Sequence, residues 1–385
     1  MKTPKVIIIA VVVLILGFLI VYSQTGIPEG AKKPHAAAGG YGGGDAKLTP
    51  MLPFINMPGD EGVIPQGANP QLLVTTADIE KNKNNWIVLD CRDKASYDEG
   101  HIPGAISLGG RCHVLIRDTE KVIKIVGKMK QDYDFEPIRE ALEEGKLDNK
   151  TLFASLALRP VEQIEKIFAQ AGITNDKTVV IYSDAKDIAP GYHAVPFFAL
   201  EYLGHPDGRI LDGGIEGWVE EGKPLEQKAN KLPPSNFKAK IMKDRFATTE
   251  DVLKIAKGEI KDVQLVDSRL VDESIGKAAT PPGHFLEKAA GRKGMIPNTV
   301  LNVPHFYQFA DMKTLKMRPI WQLQRLYGSL DKDKKTVLYC YIANRISFSY
   351  FVLRMLGFKN PAIYHDSYII WGNDPNLPVL GPGTI

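Results

Sequence analysis

The sequence predicts an α/β chain of two tandem domains, each a mostly parallel sheet flanked by helices, behind an N-terminal signal or anchor helix. Three observations lead there. Six short segments of the first half recur, in the same order, in the second. In both halves short apolar strand-like runs alternate with helical stretches, the pattern of α/β units on a parallel sheet. An apolar run then stands alone at the N-terminus, ahead of a Gly-rich stretch.

The recurrences locate the elements. Thr75-Thr76-Ala77-Asp78-Ile79 returns as Thr248-Thr249-Glu250-Asp251-Val252, each a capped helix start. Ile87 to Arg92 returns as Gln264 to Arg269, and His101 to Ala105 as Met295 to Thr299. Val179 to Ser183 returns as Thr336 to Cys340, and Phe198 to Gly204 as Val352 to Gly357. Gly214 to Trp218 returns as Tyr368 to Gly372. A duplication of one α/β unit accounts for all of them.

The N-terminus carries Lys2 and Lys5, then the uncharged run 6–22. That run is long for a secretory signal core and just short of a typical span. Residues 1–23 are therefore expected to be a signal peptide or membrane anchor. The lysines would stay in the cytoplasm, so the body is expected to be extracytoplasmic, in a periplasm or cell envelope, tethered by 6–22. Residues 24–70, rich in Gly, Ala and Pro, read as a flexible tether. The first domain is placed at 71–225, a Lys- and Pro-rich linker at 226–244 and the second domain at 245–385. Within the first domain, 111–147 reads as a charged surface insertion, its lysines on a solvated helical face. With 44% hydrophobic and 24% charged residues the chain is of ordinary globular composition, and a net charge of +3 without a basic aromatic stripe gives no case for nucleic acid.

Chemistry concentrates after Thr336–Tyr339, a predicted buried strand. Ser347–Leu356 reads as a helix ending at Gly357, so Cys340 falls on a tight loop leading to a helix N-terminus. Unpaired amides and the helix dipole favour a thiolate there, and Arg345 adds a fixed positive charge. Cys340 is thus the candidate nucleophile. Cys91 and Cys112 either pair in an exported chain or remain buried thiols, and the sequence leaves both open.

Asp90-Cys91-Arg92, Tyr97 and Gly100-His101-Ile102-Pro103-Gly104-Ala105 resemble the N-terminal half of the rhodanese family in its tandem arrangement, that of thiosulfate and mercaptopyruvate sulfurtransferases. Asp267-Ser268-Arg269, Cys340 through Arg345 and Leu377-Pro378-Val379 resemble the catalytic half. The likeness covers about 71–379. It implies two tandem rhodanese-like domains, the first catalytically silent because Ser183 stands where Cys340 does. It also implies a Cys340 persulfide that takes sulfur from a small donor (thiosulfate, mercaptopyruvate or polysulfide) and gives it to a thiophilic acceptor. Tyr341, Ile342, Ala343, Asn344 and Arg345 would form the loop that cradles the sulfur, with Asp267 and Arg269 supporting it. Four residues separate Cys340 from Arg345, one fewer than in phosphatase cradles, which suits a single sulfur over phosphate. Several positions differ from the family: Tyr341 and Ile342 are bulky and uncharged where small or basic residues are usual, Ala343 stands where a glycine often does, Glu273 stands where thiosulfate enzymes place a substrate-binding arginine, and Met295 replaces a histidine.

The remaining candidates carry two readings each. Arg345 either stabilises anionic sulfur or pairs with a first-domain carboxylate. Asp267 with Arg269 is expected as an internal ion pair that braces the loop, with direct substrate contact by Arg269 as the alternative, and Asp90 with Arg92 as its structural equivalent in the first domain. His101 is read as bracing a turn, with a proton shuttle as the alternative, and Tyr341 as a pocket wall or a surface residue. Trp218 and Trp371 are expected in the core. No metal-ligand spacing and no nucleotide-binding loop is seen, so no metal or cofactor is expected. The alternative function is a non-catalytic rhodanese-like module that binds a sulfur species, a metalloid oxyanion or a partner protein in an exported redox assembly.

Overall fold

The structure, a computed structural model, describes residues 59–110, 112–118, 120–127, 136–185, 191–280, 284 and 286–382. The expected anchor 6–22, the tether up to residue 58 and Arg111 at the head of the expected insertion lie outside the described residues.

Five strands form the first sheet: β1 (Leu73–Val74), β2 (Ile87–Asp90), β3 (Ile106–Ser107), β4 (Val179–Tyr182) and β5 (Gly208–Leu211). Their order is β1-β5-β4-β2-β3, with every pair parallel. The second sheet uses β6 (Phe246–Ala247), β7 (Val263–Asp267) and β8 (Thr299–Asn302). After a hairpin of β9 (Phe309–Asp311) and β10 (Lys316–Met317) come β11 (Lys335–Tyr339) and β12 (Asn360–Tyr364). Its order, β6-β12-β11-β7-β8, repeats the first, again all parallel. The central strands explain this placement. Val179-Val180-Ile181-Tyr182 and Thr336-Val337-Leu338-Tyr339 are buried throughout, as strands covered on both faces must be.

The duplication extends to individual hydrogen bonds. The two capping boxes match: the Thr75 amide donates to Asp78 Oδ2 at 2.9 Å, and the Thr248 amide to Asp251 Oδ2 at 2.9 Å. The Trp218 indole N–H donates to the Pro224 carbonyl, and that of Trp371 to the Pro378 carbonyl, with both rings in the core. Pairing the two tryptophans sets Gly214 against Ser367, one residue earlier than the sequence match.

The helices that follow the two central strands meet each other. Asn344–Met355 is buried along almost its whole length, and Val195–Tyr202 nearly so. A helix buried on every side needs neighbours on every side, and each supplies part of the cover for the other. Phe197 packs edge-on against Phe351 at 4.9 Å and Phe198 against Tyr350 at 5.2 Å, while Arg354 and Glu201 form an ion pair at 2.8 Å.

Three stretches differ from expectation. Cys112 to Arg117, inside the expected surface insertion, are all buried. The run Val114-Leu115-Ile116 belongs to the core, and its Leu115 and Ile116 share one apolar cluster with Cys340 and Ile346; hydrophobic burial overrides the charged surroundings in sequence. Val122, Ile138, Ala141 and Leu147 of the same stretch are buried too, while Lys124 is exposed, as the solvated-face reading expects. The end of the expected tether is docked: the Asn69 amide and Asn69 Nδ2 donate to the carbonyls of Met355 (2.7 Å) and Arg354 (2.9 Å). They satisfy acceptors that the end of a helix leaves open. The linker runs along the first half, with Glu226 paired to His101 through both backbone bonds and Phe237 buried.

Among the described residues no helix is long and apolar enough to cross a membrane.

Candidate functional site

Cys340 directly follows β11, is fully buried and is a free thiol. The other two cysteines, Cys91 and Cys112, are joined in a disulfide. Shortly after Cys340 the helix Asn344–Met355 begins, earlier than the expected start at Ser347. Arg345 therefore lies in the first helical turn. Ala343 makes the early start possible by adopting a left-handed conformation, φ 65°. That geometry is costly for a residue with a Cβ and is one that glycine adopts freely.

A second left-handed residue holds the other side. Ser367 has φ 53°, its hydroxyl donates to the Tyr364 carbonyl (2.9 Å), and its Oγ accepts the Cys340 amide at 3.3 Å. The Cys340 and Tyr341 carbonyls accept the amides of Tyr368 (2.9 Å) and Ile369 (3.0 Å). The backbone on which the thiol sits is thus clamped from the start of the helix Ser367–Asn373.

Arg345 is engaged in a two-pronged ion pair. Nη1 reaches Glu273 Oε2 at 2.7 Å and Nη2 reaches Oε1 at 2.9 Å, with both side chains buried. Of the two expected readings the pairing holds, but the carboxylate comes from the second half, not the first. The physical reason is local. A cation in the first turn of a helix faces the positive end of the dipole, and a buried carboxylate offsets this. Asp267 and Arg269 pair in the same manner, Nη2 to Oδ2 at 2.7 Å, and Arg269 Nη2 also donates to the Gly294 carbonyl at 2.8 Å. In the first half Arg92 repeats this on Asp90 (2.7 Å) and the Gly100 carbonyl (2.7 Å). The Arg269 guanidinium also lies 3.8 Å over the Tyr368 ring.

Tyr341 and Ile342 are buried, which removes the surface reading of Tyr341. They share an apolar cluster with Val122, Ile138 and Leu152 of the first half, and Tyr341 meets His284 edge-on at 5.4 Å. His284 retains some solvent contact, yet burial and then Arg345 lower its pKa to about 3. His305, also near Arg345, is held well below the ordinary histidine range by burial first. Both imidazoles are neutral at pH 7. His101 sits elsewhere: its Nδ1 is 2.8 Å from the Tyr97 carbonyl and its ring stacks on Tyr97 at 3.8 Å, a turn-bracing arrangement.

The first half reaches the loop through Arg117. Its Nε and Nη2 donate to Asn344 Oδ1 at 3.2 and 3.0 Å, and Nη1 to the Leu156 carbonyl at 3.4 Å. Burial lowers its pKa to about 10, while Cys340, Tyr192 and Asp366 act in the opposite direction. Among the described residues no cluster of His, Cys, Asp and Glu is arranged to hold a metal ion.

The rhodanese-like domain profile matches this chain twice, at residues 75–221 and 250–374. The chain belongs to the rhodanese-like family. Both matched segments contain most of one of the two parallel sheets, so the tandem rhodanese arrangement is the fold itself. A sulfur carrier protein, TtuD of Thermus thermophilus, is 30% identical over 81% of this chain and 97% of its own length. A protein of Saccharopolyspora erythraea, named as a candidate thiosulfate sulfurtransferase, is 29% identical over 81% of this chain and 97% of its own. Among solved structures wild-type EanB matches with a TM-score of 0.58 at 19% identity. It covers 77% of this chain, which spans 63% of EanB, and the likeness is one of fold. The chain is accordingly a rhodanese-family, sulfurtransferase-like protein.

In this rhodanese the structure gathers Cys340, Tyr341, Ile342, Ala343, Asn344 and Arg345 at one strand-to-helix junction, and sets Asp267 and Arg269 on the neighbouring strand end. Sequence reasoning missed Arg117 and Ser367. The apolar run Val114-Leu115-Ile116 was the available signal for the first. For the second it was the exchange of Gly214 for Ser367 at matching repeat positions.

Proposed function

We propose that the protein is a sulfurtransferase that carries a sulfane sulfur on Cys340. The observation that carries this reading is the free thiol of Cys340 at the junction of β11 and a helix of 12 residues, in a rhodanese whose other half holds Ser183 at the matching site. The helix start supplies amides that its own turns leave unpaired, suited to a negatively charged sulfur. The names of the relatives, a sulfur carrier and a candidate thiosulfate sulfurtransferase, support the same chemistry.

The exchange balances with thiosulfate as the donor. The Cys340 thiolate attacks the outer sulfur, the S–S bond of thiosulfate breaks, sulfite leaves with the electron pair, and a Cys340 persulfide anion remains. A thiophile such as cyanide then takes the outer sulfur as thiocyanate and regenerates the thiolate. Tyr341 to Arg345 form the cradle, and Asp267 with Arg269 brace it. Mass spectrometry of Cys340 after exposure to thiosulfate, mercaptopyruvate or polysulfide tests this. The gain of one sulfur with at least one donor supports it, and no gain with any of the three sinks it.

A second reading, a non-catalytic rhodanese-like module, is favoured by one observation. Cys340 is wholly covered, and the nearby Arg345 is already neutralised by Glu273. Stable co-purification of a protein partner together with a persulfide-free Cys340 would select it.

We place the protein outside the cytoplasm, held at the membrane by 6–22. The Cys91–Cys112 disulfide supports an oxidising compartment. Thiol labelling of intact cells with a membrane-impermeant reagent, followed by fractionation, distinguishes this from a cytoplasmic protein, whose cysteines would be reduced and protected.

A further inference from the structure

We propose that Arg117, carried by the catalytically silent first half, is the positioning residue whose positive charge holds the anionic sulfur of Cys340. This rests on Cys340 as the sulfur-carrying group and adds where its counter-charge comes from.

The argument begins with the cations around the loop. Arg345 is matched by Glu273 and Arg269 by Asp267, each through two-pronged contacts in a buried setting. Neither has charge to spare. Arg117 is different. It is buried, and the groups it grips are neutral: the Asn344 side-chain oxygen and the Leu156 carbonyl. Among the described residues no carboxylate pairs with it. Asp366 acts on it electrostatically, but its Oδ2 accepts from Thr249 Oγ1 at 2.7 Å.

A buried guanidinium whose direct partners are all neutral is expensive to keep, and an anion brought close to it in the working state offsets that cost. The titratable groups coupled electrostatically to Arg117 are His113 on its own segment, Tyr192 of the first half, His365 and Asp366 after β12, and Cys340, whose apolar cluster includes the adjoining Leu115 and Ile116. His113 is neutral, its pKa lowered to about 3 by burial and Arg117, and burial also lowers that of His365. Cys340 is the reactive member of the set. Its thiolate, and the persulfide after sulfur uptake, each bring a negative charge that none of the direct partners of Arg117 supplies.

The chain also fixes Arg117 firmly. Its backbone bridges to Leu158, and the Arg159 amide donates to the Ile116 carbonyl at 2.9 Å. Upstream on the same segment, Cys112 is tied to Cys91 beside β2. Arg117 thus carries a first-half charge to Asn344, in the same tight loop as the thiol.

The test reads charge directly at Cys340, the free thiol of the chain. In the full-length protein the rate of alkylation is measured with iodoacetate, which is anionic, and with iodoacetamide, which is neutral and of similar size. The ratio of the two rates cancels access to the thiol and its thiolate fraction. A fixed cation beside the sulfur should raise the native ratio about tenfold over that of the same chain unfolded in urea. Arg117→Met should bring the ratio down to the unfolded value, and Arg117→Lys, which keeps the charge, should retain most of it.

A native wild-type ratio no higher than the unfolded one overturns the proposal, as does a full native ratio in Arg117→Met. An Arg117→Lys ratio as low as the unfolded one overturns it too, because geometry and not charge would then be at work. Should Arg117→Met fail to fold, the wild-type and Arg117→Lys ratios decide alone. A native Cys340 that neither reagent reaches refutes both this proposal and the sulfur-carrying reading. A raised ratio without any sulfur mass gain refutes only the latter.

Discussion

The residues that directly follow β4 and β11 occupy the same place in two copies of one sheet and are held differently. Both leave a buried central strand. The Ser183 carbonyl accepts the Ile215 amide at 3.0 Å, as the Cys340 carbonyl accepts that of Tyr368 at 2.9 Å. The facing residue has the same backbone in each, φ 53° at Gly214 and at Ser367. A Cβ on Gly214 would sit 2.4 Å from the Ser183 carbonyl oxygen, so the first half needs glycine there. The second half accommodates a side chain at that φ and uses its oxygen to hold the Cys340 amide. Backbone strain of this kind gathers where a site must be held in place. The repeat thus keeps its scaffold in both halves and changes a few side chains. The first half also reaches the other's loop, through Arg117.

The sharpest way to break the comparison is to exchange the two side chains. Cys340→Ser should lower sulfur transfer by more than about a thousandfold, to background. Adding Ser183→Cys to it should restore nothing, because Ser183 lies in a loop of different sequence that lacks the Ser367 clamp. Thiocyanate release and the mass of the labelled peptide check both. Recovery of turnover in the double variant would show that the two loops are chemically equivalent after all.

The ion pair Arg345–Glu273 comes next. Glu273→Ala strips a buried guanidinium of its two-pronged carboxylate and should cost about 3–5 kcal/mol of stability. Urea unfolding measures it, and a loss below about 1 kcal/mol would mean that water replaces the carboxylate. In the first half, removing the disulfide by Cys91→Ala with Cys112→Ala should cost about 3 kcal/mol, given its sequence separation of 21. It should also lower the iodoacetate-to-iodoacetamide ratio at Cys340, since Arg117 loses its nearest covalent anchor.

Both halves also bury neutral histidines near the site. Burial lowers the pKa of His193 to about 4 and that of His305 well below the usual range. The unfolded chain takes up protons on these groups near pH 6.5 and the folded chain does so only at lower pH. Stability is therefore full above about pH 6.5 and falls as the pH drops, by about 1.4 kcal/mol per pH unit for each histidine. For His193 the loss levels off near pH 4. His193 packs edge-on to Phe348 at 5.7 Å, so His193→Phe should flatten one histidine's share of the slope between about pH 6.5 and 5. An unchanged slope in a folded variant would remove His193 from the account.

Much of this was legible in the chain. The paired segments carried the duplication, and the β-branched runs at Val179 and Thr336 marked the central strands that became β4 and β11. Cys340 was visible because strand, loop and helix signals converge on it. What was hidden depends on long-range partners. Glu273 lies 72 residues from Arg345, and no local pattern joins them. Arg117 lies 227 residues from Asn344, in a stretch whose neighbouring charges masked the apolar run beside it. The helix start at Asn344 escaped because it requires a left-handed alanine, a state that propensity disfavours.

That alanine gives the smallest and most discriminating test. Ala343 is enclosed between Cys340 and the helix, with φ 65° and no exposed surface. Glycine adopts this φ without the Cβ penalty, so Ala343→Gly relieves strain of about 1–2 kcal/mol. Against this stands the greater freedom of glycine in the unfolded chain, about 0.4–1 kcal/mol, and a small loss of burial. The net expectation is a gain of up to about 1 kcal/mol, read from the urea midpoint at constant m. A loss of more than about 1 kcal/mol would mean that packing of the Ala343 methyl, not backbone strain, governs the loop. Gly214, the first-half match of Ser367, gives the companion test at the facing position. Gly214→Ala drives a Cβ into the Ser183 carbonyl oxygen and should destabilise, so both loops would then favour glycine at a left-handed residue.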